Sequence, residues 1–180
     1  MENNVGSYLT KRSKMNGKSE AYVDSASDLR LTFEELNNRV NRVANMLLDH
    51  GIKKGDRVAI LMMNSVEFVE VYLATAKIGG VVVPLNWRLV ADELEFILKD
   101  SGSVVLVYGD EFSNLATELH NRGEKTLLKK WFCSKGKNNP SFCIDYESAR
   151  NEAEASEPVI GAKDDDLLYI MYTSGTTGLP

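Results

Sequence analysis

Near the end of the chain, Thr173, Ser174, Gly175, Thr176, Thr177 and Gly178 offer only hydroxyls or no side chain at all. They can bury almost nothing, so no packing argument accounts for them. They suit the close approach of an anion: glycine frees the backbone to turn, while amides and hydroxyls supply donors. The residues just before them, Leu167-Leu168-Tyr169-Ile170-Met171-Tyr172, are all apolar or aromatic. Such a run predicts a strand buried on both faces, as in a parallel sheet. Ligands of open parallel sheets collect outside the carboxyl ends of the strands, and the small-residue loop would sit at such an end. A phosphate-gripping loop is one reading. A flexible connection of ordinary loop residues is the other. Two phosphate motifs are excluded. The Walker pattern needs a lysine and then Ser or Thr after its second glycine, whereas Leu179 follows Gly178. The GxGxxG dinucleotide fingerprint occurs nowhere in the chain.

The elements that would position this loop alternate between strand and helix. A short helix is predicted near residues 5–14 and a strand at 21–24. Thr32-Phe33-Glu34-Glu35 is a capping box, followed by Leu36, Val40, Val43 and Leu47 on one helical face, with Gly51 placed to end it. A buried strand is predicted at 57–63. Asn64 would cap the next helix, whose apolar face is Phe68, Val69, Tyr72, Leu73 and Ala76, and Gly79-Gly80 would stop it. Strand 81–84, helix 92–99 (Leu94, Ile97 and Leu98 inward), strand 104–107, helix 111–121 (on Phe112, Leu115 and Leu119) and strand 126–132 follow. Residues 134–141 read as a polar surface loop, 145–155 as a short exposed helix and 158–166 as a linker. Strand–helix alternation with β-branched strands predicts an α/β fold, a mostly parallel sheet flanked by helices.

The bulk properties bound the function. The 180 residues are 43% hydrophobic and 26% charged, with a net charge of −5. Lysines and arginines are scattered, which argues against a nucleic-acid partner. The N-terminus lacks a secretory apolar core, and no apolar run approaches the roughly 20 residues that a membrane span requires. Cys133 and Cys143 lack CxxC spacing and read as free thiols in a reducing compartment. A cytoplasmic protein without a transmembrane segment is expected. His50 and His120, at helix ends, read as surface residues, and Asp164-Asp165-Asp166 as a solvated linker.

At this level of detail a family resemblance emerges. Tyr172-Thr173-Ser174-Gly175-Thr176-Thr177-Gly178-Leu179-Pro180 resembles the signature loop of the adenylate-forming (AMP-binding) enzymes. That superfamily includes acyl-CoA synthetases, firefly luciferase and the adenylation domains of peptide synthetases. Leu31-Thr32-Phe33-Glu34-Glu35-Leu36 resembles its early helix-start motif. Ala76-Lys77-Ile78-Gly79-Gly80-Val81-Val82-Val83-Pro84-Leu85-Asn86 resembles its second core motif. The motifs occur in the family's order and span most of the chain. Pro84-Leu85-Asn86-Trp87-Arg88-Leu89, with Asp100-Ser101-Gly102, is more similar to acyl-CoA synthetases than to peptide-synthetase domains, which more usually carry Pro-Ile-Asp. Asn86 and Arg88 are read as a structural turn ahead of ligand contact.

The resemblance implies that residues 1–180 form an incomplete N-terminal (AMP-binding) domain ending at the phosphate loop, without the C-terminal domain. It implies an ATP-dependent ligase that joins a carboxylic acid to ATP, releases pyrophosphate and passes the acyl group to coenzyme A. ATP, Mg²⁺ and coenzyme A are the implied cofactors and co-substrates. Carried over by position, Thr173, Ser174, Gly175, Thr176, Thr177 and Gly178 would hold the β- and γ-phosphates, with Thr176 nearest the Mg²⁺. No catalytic proton-transfer residue is assigned. The adenine, ribose, acyl and CoA sites would lie downstream, so the isolated chain is expected to lack ligase activity. A terminal strand cut from a larger sheet would also leave an apolar edge open to self-association. Two alternatives stay open: a naturally short non-catalytic nucleotide-binding or scaffold protein, and a peptide-synthetase adenylation domain. Fatty, aromatic and short-chain acids all remain candidates.

Overall fold

Successive residues along the strands of the main sheet point to opposite faces and nearly all are buried, which is why helices must cover both faces. In the computed structural model, which describes residues 5–137, 139–159 and 161–173, β3 (Arg57–Leu61) sends Val58 and Ile60 to one face and Ala59 and Leu61 to the other. Its neighbours β4 (Val81–Pro84) and β5 (Val105–Gly109) keep the same alternation, as does β6 (Lys130–Ser134), with Phe132 on one side and Trp131 and Cys133 on the other. With the two-residue β7 (Ile144–Asp145), the order is β4-β3-β5-β6-β7 and every pairing is parallel. A separate antiparallel hairpin, β1 (Glu20–Asp24) and β2 (Leu29–Thr32), lies ahead of the sheet in the chain. The expected fold class is therefore observed. The β2 and β7 strands are additions to it.

One face of the sheet packs under α2 (Phe33–Asp49), α3 (Val66–Ile78) and α6 (Tyr146–Glu152), and the other under α4 (Ala91–Asp100) and α5 (Ser113–Asn121). The α2 helix starts as its residues dictate. Thr32 Oγ1 accepts from the Glu35 N–H at 3.2 Å, and Glu35 Oε2 accepts from the Thr32 N–H at 2.8 Å. Leu36, Val40, Val43 and Leu47 form its buried face, and Gly51 follows its end at φ +85°. The next helix begins one residue later than expected: Ser65, not Asn64, is the cap, its Oγ accepting from the Phe68 N–H at 3.2 Å.

The buried surface of α3 is not the predicted stripe. Phe68, Tyr72 and Leu73 are only half-buried, whereas Glu67, Glu70, Thr75 and Lys77 are buried. Polar residues can occupy the interior here because each charge has a partner. Glu70, fully buried, accepts from Tyr146 Oη at 2.7 Å, from Arg150 at 3.2 Å and from Arg39. This turns α6, expected to be exposed, into a docked helix with Tyr146 and Arg150 inside. Lys77 Nζ lies within 2.7–2.8 Å of Thr10 Oγ1, Asn37 Oδ1, Asn41 Oδ1 and Glu157 Oε2. It thereby ties α1 (Val5–Asn16), α2 and the 155–157 segment to α3. The first helix can come this close because a Cβ on Gly6 would lie 2.6 Å from the Lys77 backbone.

Smaller differences follow from packing. The strand predicted at 126–132 begins only at Lys130, because Leu127 is exposed and the amides of Lys129 and Lys130 share the Val104 carbonyl. Ser134, assigned to a polar loop, is a buried member of β6. His120 is exposed and stacks on Phe142 at 3.8 Å, while His50 is half-buried against Phe132 with Nδ1 2.8 Å from the Met46 carbonyl.

Two measurements check this account. Lys77→Met leaves the Asn37 and Asn41 carbonyls without their ammonium donor and should cost about 2–3 kcal/mol in chemical unfolding, less than breaking a fully buried pair because Glu157 can recover water. A loss below about 0.5 kcal/mol would contradict the anchoring role. The Thr32 amide and hydroxyl hold the Glu35 carboxyl below its ordinary value. The stabilisation is therefore present above the unfolded carboxylate range and lost as pH falls through the lowered folded value. Glu35→Gln keeps the capping geometry without the titration, so its melting temperature should fall less steeply on acidification. A slope equal to the wild type's would refute that assignment.

Candidate functional site

The final segment enters the sheet beside β4. The Val82 N–H donates to the Leu168 carbonyl at 2.9 Å, and the Ile170 N–H donates back to the Val82 carbonyl at 2.9 Å. Val82 and Tyr169 form a parallel bridge, so the chain here runs in the direction of the other strands. Its approach is fixed by the turn before it. Asp166 Oδ2 accepts from the Lys163 N–H at 2.5 Å and pairs with Lys54 at 2.6 Å, which together hold its carboxyl below the ordinary range. The acidic run thus serves as a turn, in keeping with the linker expected there.

The segment is not buried on both faces as the apolar run suggested. Ile170 and Tyr172 pack against the α4–α5 side of the core, whereas Leu167, Tyr169 and Met171 are 58%, 45% and 61% exposed. The physical reason is its position at the sheet edge. Among the described residues, β4 is its one strand neighbour, and regular pairing is confined to the single bridge at Tyr169. Beyond Ile170 the segment is tied to a helix instead: Tyr172 Oη donates to Asp100 Oδ2 at 2.5 Å, at the last residue of α4. Partial burial and the Asp100 carboxylate push the Tyr172 hydroxyl up to about 12. Nothing in the sequence pattern marks Tyr172 and Asp100 as partners, because 72 residues separate them.

Of the predicted phosphate-binding residues, Thr173 is exposed at the end of this segment. Ser174, Gly175, Thr176, Thr177 and Gly178, including the proposed Mg²⁺ contact Thr176, lie outside the described residues. Around the carboxyl end of β4, Asn86 Oδ1 accepts from the Arg88 N–H at 3.1 Å and the Arg88 guanidinium lies 4.4 Å from the Trp87 ring centroid. Both contacts are internal to the turn, which is the structural role expected for this pair. At the neighbouring strand ends, Glu111 Oε1 accepts from the Met63 N–H at 3.2 Å and so links the end of β3 to the turn after β5. Sequence reasoning passed over Glu111, whose spacing carries no motif.

Known proteins bear on these observations directly. The model of the AMP-binding enzyme family matches residues 9–180. A long-chain-fatty-acid–CoA ligase, FadD13 of Mycobacterium tuberculosis, is 39% identical over 183 residues, covering 98% of this chain and 34% of the relative. The chain thus spans about a third of that relative's length. The inhibitor-bound crystal structure of the N-terminal domain of FACL13 from Mycobacterium tuberculosis superposes with a TM-score of 0.88 at 39% identity, covering 100% of this chain and 43% of that one. The anthranilate CoA ligase AuaEII, crystallised with anthranoyl-AMP, superposes with a TM-score of 0.89 at 25% identity, covering 99% of this chain and 34% of that one. The chain belongs to the AMP-binding enzyme family.

Proposed function

We propose that this chain is the N-terminal part of an ATP-dependent acyl-CoA synthetase and carries that enzyme's pyrophosphate clamp. The observation that bears most weight is the run Thr173–Gly178, directly after a segment that joins a parallel sheet beside β4, in a chain matched by the AMP-binding family. The fatty-acid–CoA ligase among its relatives supports an acid–thiol ligase. The anthranoyl-AMP held by a structural relative supports an acyl-adenylate intermediate.

In this reading the carboxylate oxygen of the acid attacks the α-phosphorus of ATP, and the P–O bond to pyrophosphate breaks. Negative charge accumulates on the departing oxygens. Thr173, Ser174, Gly175, Thr176, Thr177 and Gly178 would hold the β- and γ-phosphates through amides and hydroxyls, and Thr176 would supply the hydroxyl nearest the Mg²⁺. Their contribution is electrostatic and positional, and none moves a proton. The metal, when bound, neutralises phosphate charge. Coenzyme A then accepts the acyl group through its thiol, in a site contributed by sequence beyond Pro180. A cytoplasmic setting agrees with the absence, among the described residues, of any helix long and apolar enough to cross a membrane.

Two experiments test the proposal. The 180-residue chain should give no ATP–pyrophosphate exchange above background with any carboxylic acid offered, and clear turnover would overturn its assignment as a part. The reading frame should continue past Pro180 with Lys-Gly, and its full product should catalyse acid-dependent exchange. In that product Thr176→Ala should lower kcat by about a hundredfold, the usual cost of removing one preorganised charge-stabilising donor. A stop codon after Pro180 would favour a short non-catalytic protein instead.

A further inference from the structure

The proposed clamp begins at Thr173, and one hydrogen bond fixes the residue before it. Tyr172 Oη donates to Asp100 Oδ2 at 2.5 Å, and the side chain packs against the α4–α5 side of the core. The segment that carries Tyr172 is pinned at its start by the Lys54–Asp166 pair at 2.6 Å and in its middle by the bridge between Val82 and Tyr169. Its last backbone tie to the sheet is the Ile170 N–H, which donates to the Val82 carbonyl at 2.9 Å. Among the described residues, no backbone hydrogen bond holds Met171, Tyr172 or Thr173. The path of the chain into the clamp therefore rests on the Tyr172 side chain.

The acceptor is itself held in place. Asp100 is the last residue of α4, and Ser101-Gly102 turns the chain out of the helix, with Gly102 at φ +64°. Arg57, the first residue of β3, reaches this turn: its Nε donates to the Ser101 carbonyl at 2.9 Å and its Nη2 to the Gly102 carbonyl at 2.7 Å. A Cβ on Gly102 would come within 2.6 Å of Arg57 Nη2, so a side chain there would displace the guanidinium. The Ser103 N–H donates to the Leu98 carbonyl at 3.0 Å, and the Ser101 and Ser103 hydroxyls lie 2.8 Å apart. The turn thus locks the end of α4 to β3 and leaves the Asp100 carboxylate exposed. A carboxylate is unfavourable at the negative end of a helix dipole, so Asp100 does not serve the helix that carries it. Among the described residues its side-chain partner is Tyr172.

We propose that Asp100 is a positioning residue of the nucleotide site: by holding Tyr172 it sets where Thr173, the first hydroxyl of the proposed clamp, lies against the phosphates of ATP. This role rests on the ligase reading above. The carboxylate acts through Tyr172 and needs no contact with the nucleotide. An ionised acceptor makes a stronger bond than a neutral one. Partial burial and the Asp100 carboxylate push the Tyr172 hydroxyl up to about 12, so its proton stays in that bond. The bond is exposed to solvent, and its loss takes little from global stability. What it governs is local: a small displacement of phosphate-binding groups is enough to weaken their contacts.

The test pairs kinetics with a positional readout. In the full product of the reading frame, Asp100→Ala should raise KM for MgATP about tenfold in acid-dependent pyrophosphate exchange, the scale of one hydrogen bond to a charged group. KM for the acid should stay unchanged. Asp100→Asn, which retains an acceptor oxygen, should recover part of the loss. A merely structural role would lower the active fraction, and hence kcat, with both KM values unchanged; that result would overturn the proposal. The folded 180-residue chain tests the link without activity. There Asp100→Ala should move the Thr173 amide resonance, and in a Tyr172→Phe background it should have no further effect. A Thr173 resonance indifferent to Asp100→Ala, or an equal shift in both backgrounds, would also overturn the proposal. A wild-type product without exchange would refute the ligase reading instead, and the Thr173 resonance then decides the positioning role alone.

Discussion

Two ionised side chains on one helix, Glu70 and Lys77, are carried into the interior, and much of the structure is arranged to satisfy them. A buried charge without partners is far costlier than the few kcal/mol by which a domain is stable, so each must be surrounded by donors or acceptors. Glu70 gathers Arg39 from α2 with Tyr146 and Arg150 from α6. Lys77 gathers Thr10 from α1, Asn37 and Asn41 from α2 and Glu157 from the segment beyond α6. Asn37 and Asn41 extend the second cluster, donating to Glu157 Oε1 at 2.8 Å and the Ala155 carbonyl at 3.0 Å. The helices on this face are thereby fixed in one arrangement, and residues 155–157 are held where the chain turns back toward the sheet.

That return path delivers the segment ahead of the proposed clamp. From Glu157 the chain crosses to the Lys54–Asp166 pair and then meets β4 at Val82. The apolar side chains of the segment face two different environments. Ile170 and Tyr172 are covered by the α4–α5 side of the core, while Leu167, Tyr169 and Met171 leave an apolar face exposed at the sheet edge. An apolar face at a sheet edge is open to contact with other polypeptide. The proposed membership in a longer ligase accounts for the exposed face without any special role for the side chains themselves.

What the sequence disclosed follows from the range of the interactions. The capping box at Thr32, the α2 stripe and the strand cores at Val58–Leu61 and Val105–Val107 are set by neighbours a few positions away, so spacing alone identifies them. Burial of Glu70 and Lys77 was illegible because their partners lie up to 80 residues away. A hydrophobic-stripe argument therefore turned α3 toward Phe68 and Tyr72 and left α6 exposed. The same limit hid Tyr172–Asp100. The Thr-Ser-Gly-Thr-Thr-Gly run is conspicuous for the opposite reason: residues with nothing to bury stand out after an apolar stretch, and with two upstream motifs they carry the resemblance to the AMP-binding family that the family match shows.

The central claim is that residues 168–170 bridge β4 in parallel at Tyr169 and so bring Thr173 to the edge of the sheet. Residue-resolved amide hydrogen exchange on the folded chain tests it most directly. The account predicts slow exchange at both Val82 and Ile170, the two amides of the bridge, with Ile170 far slower than an unstructured peptide of the same sequence. Exchange of Ile170 at the rate of that free peptide, beside a protected β3 and β5, would contradict it.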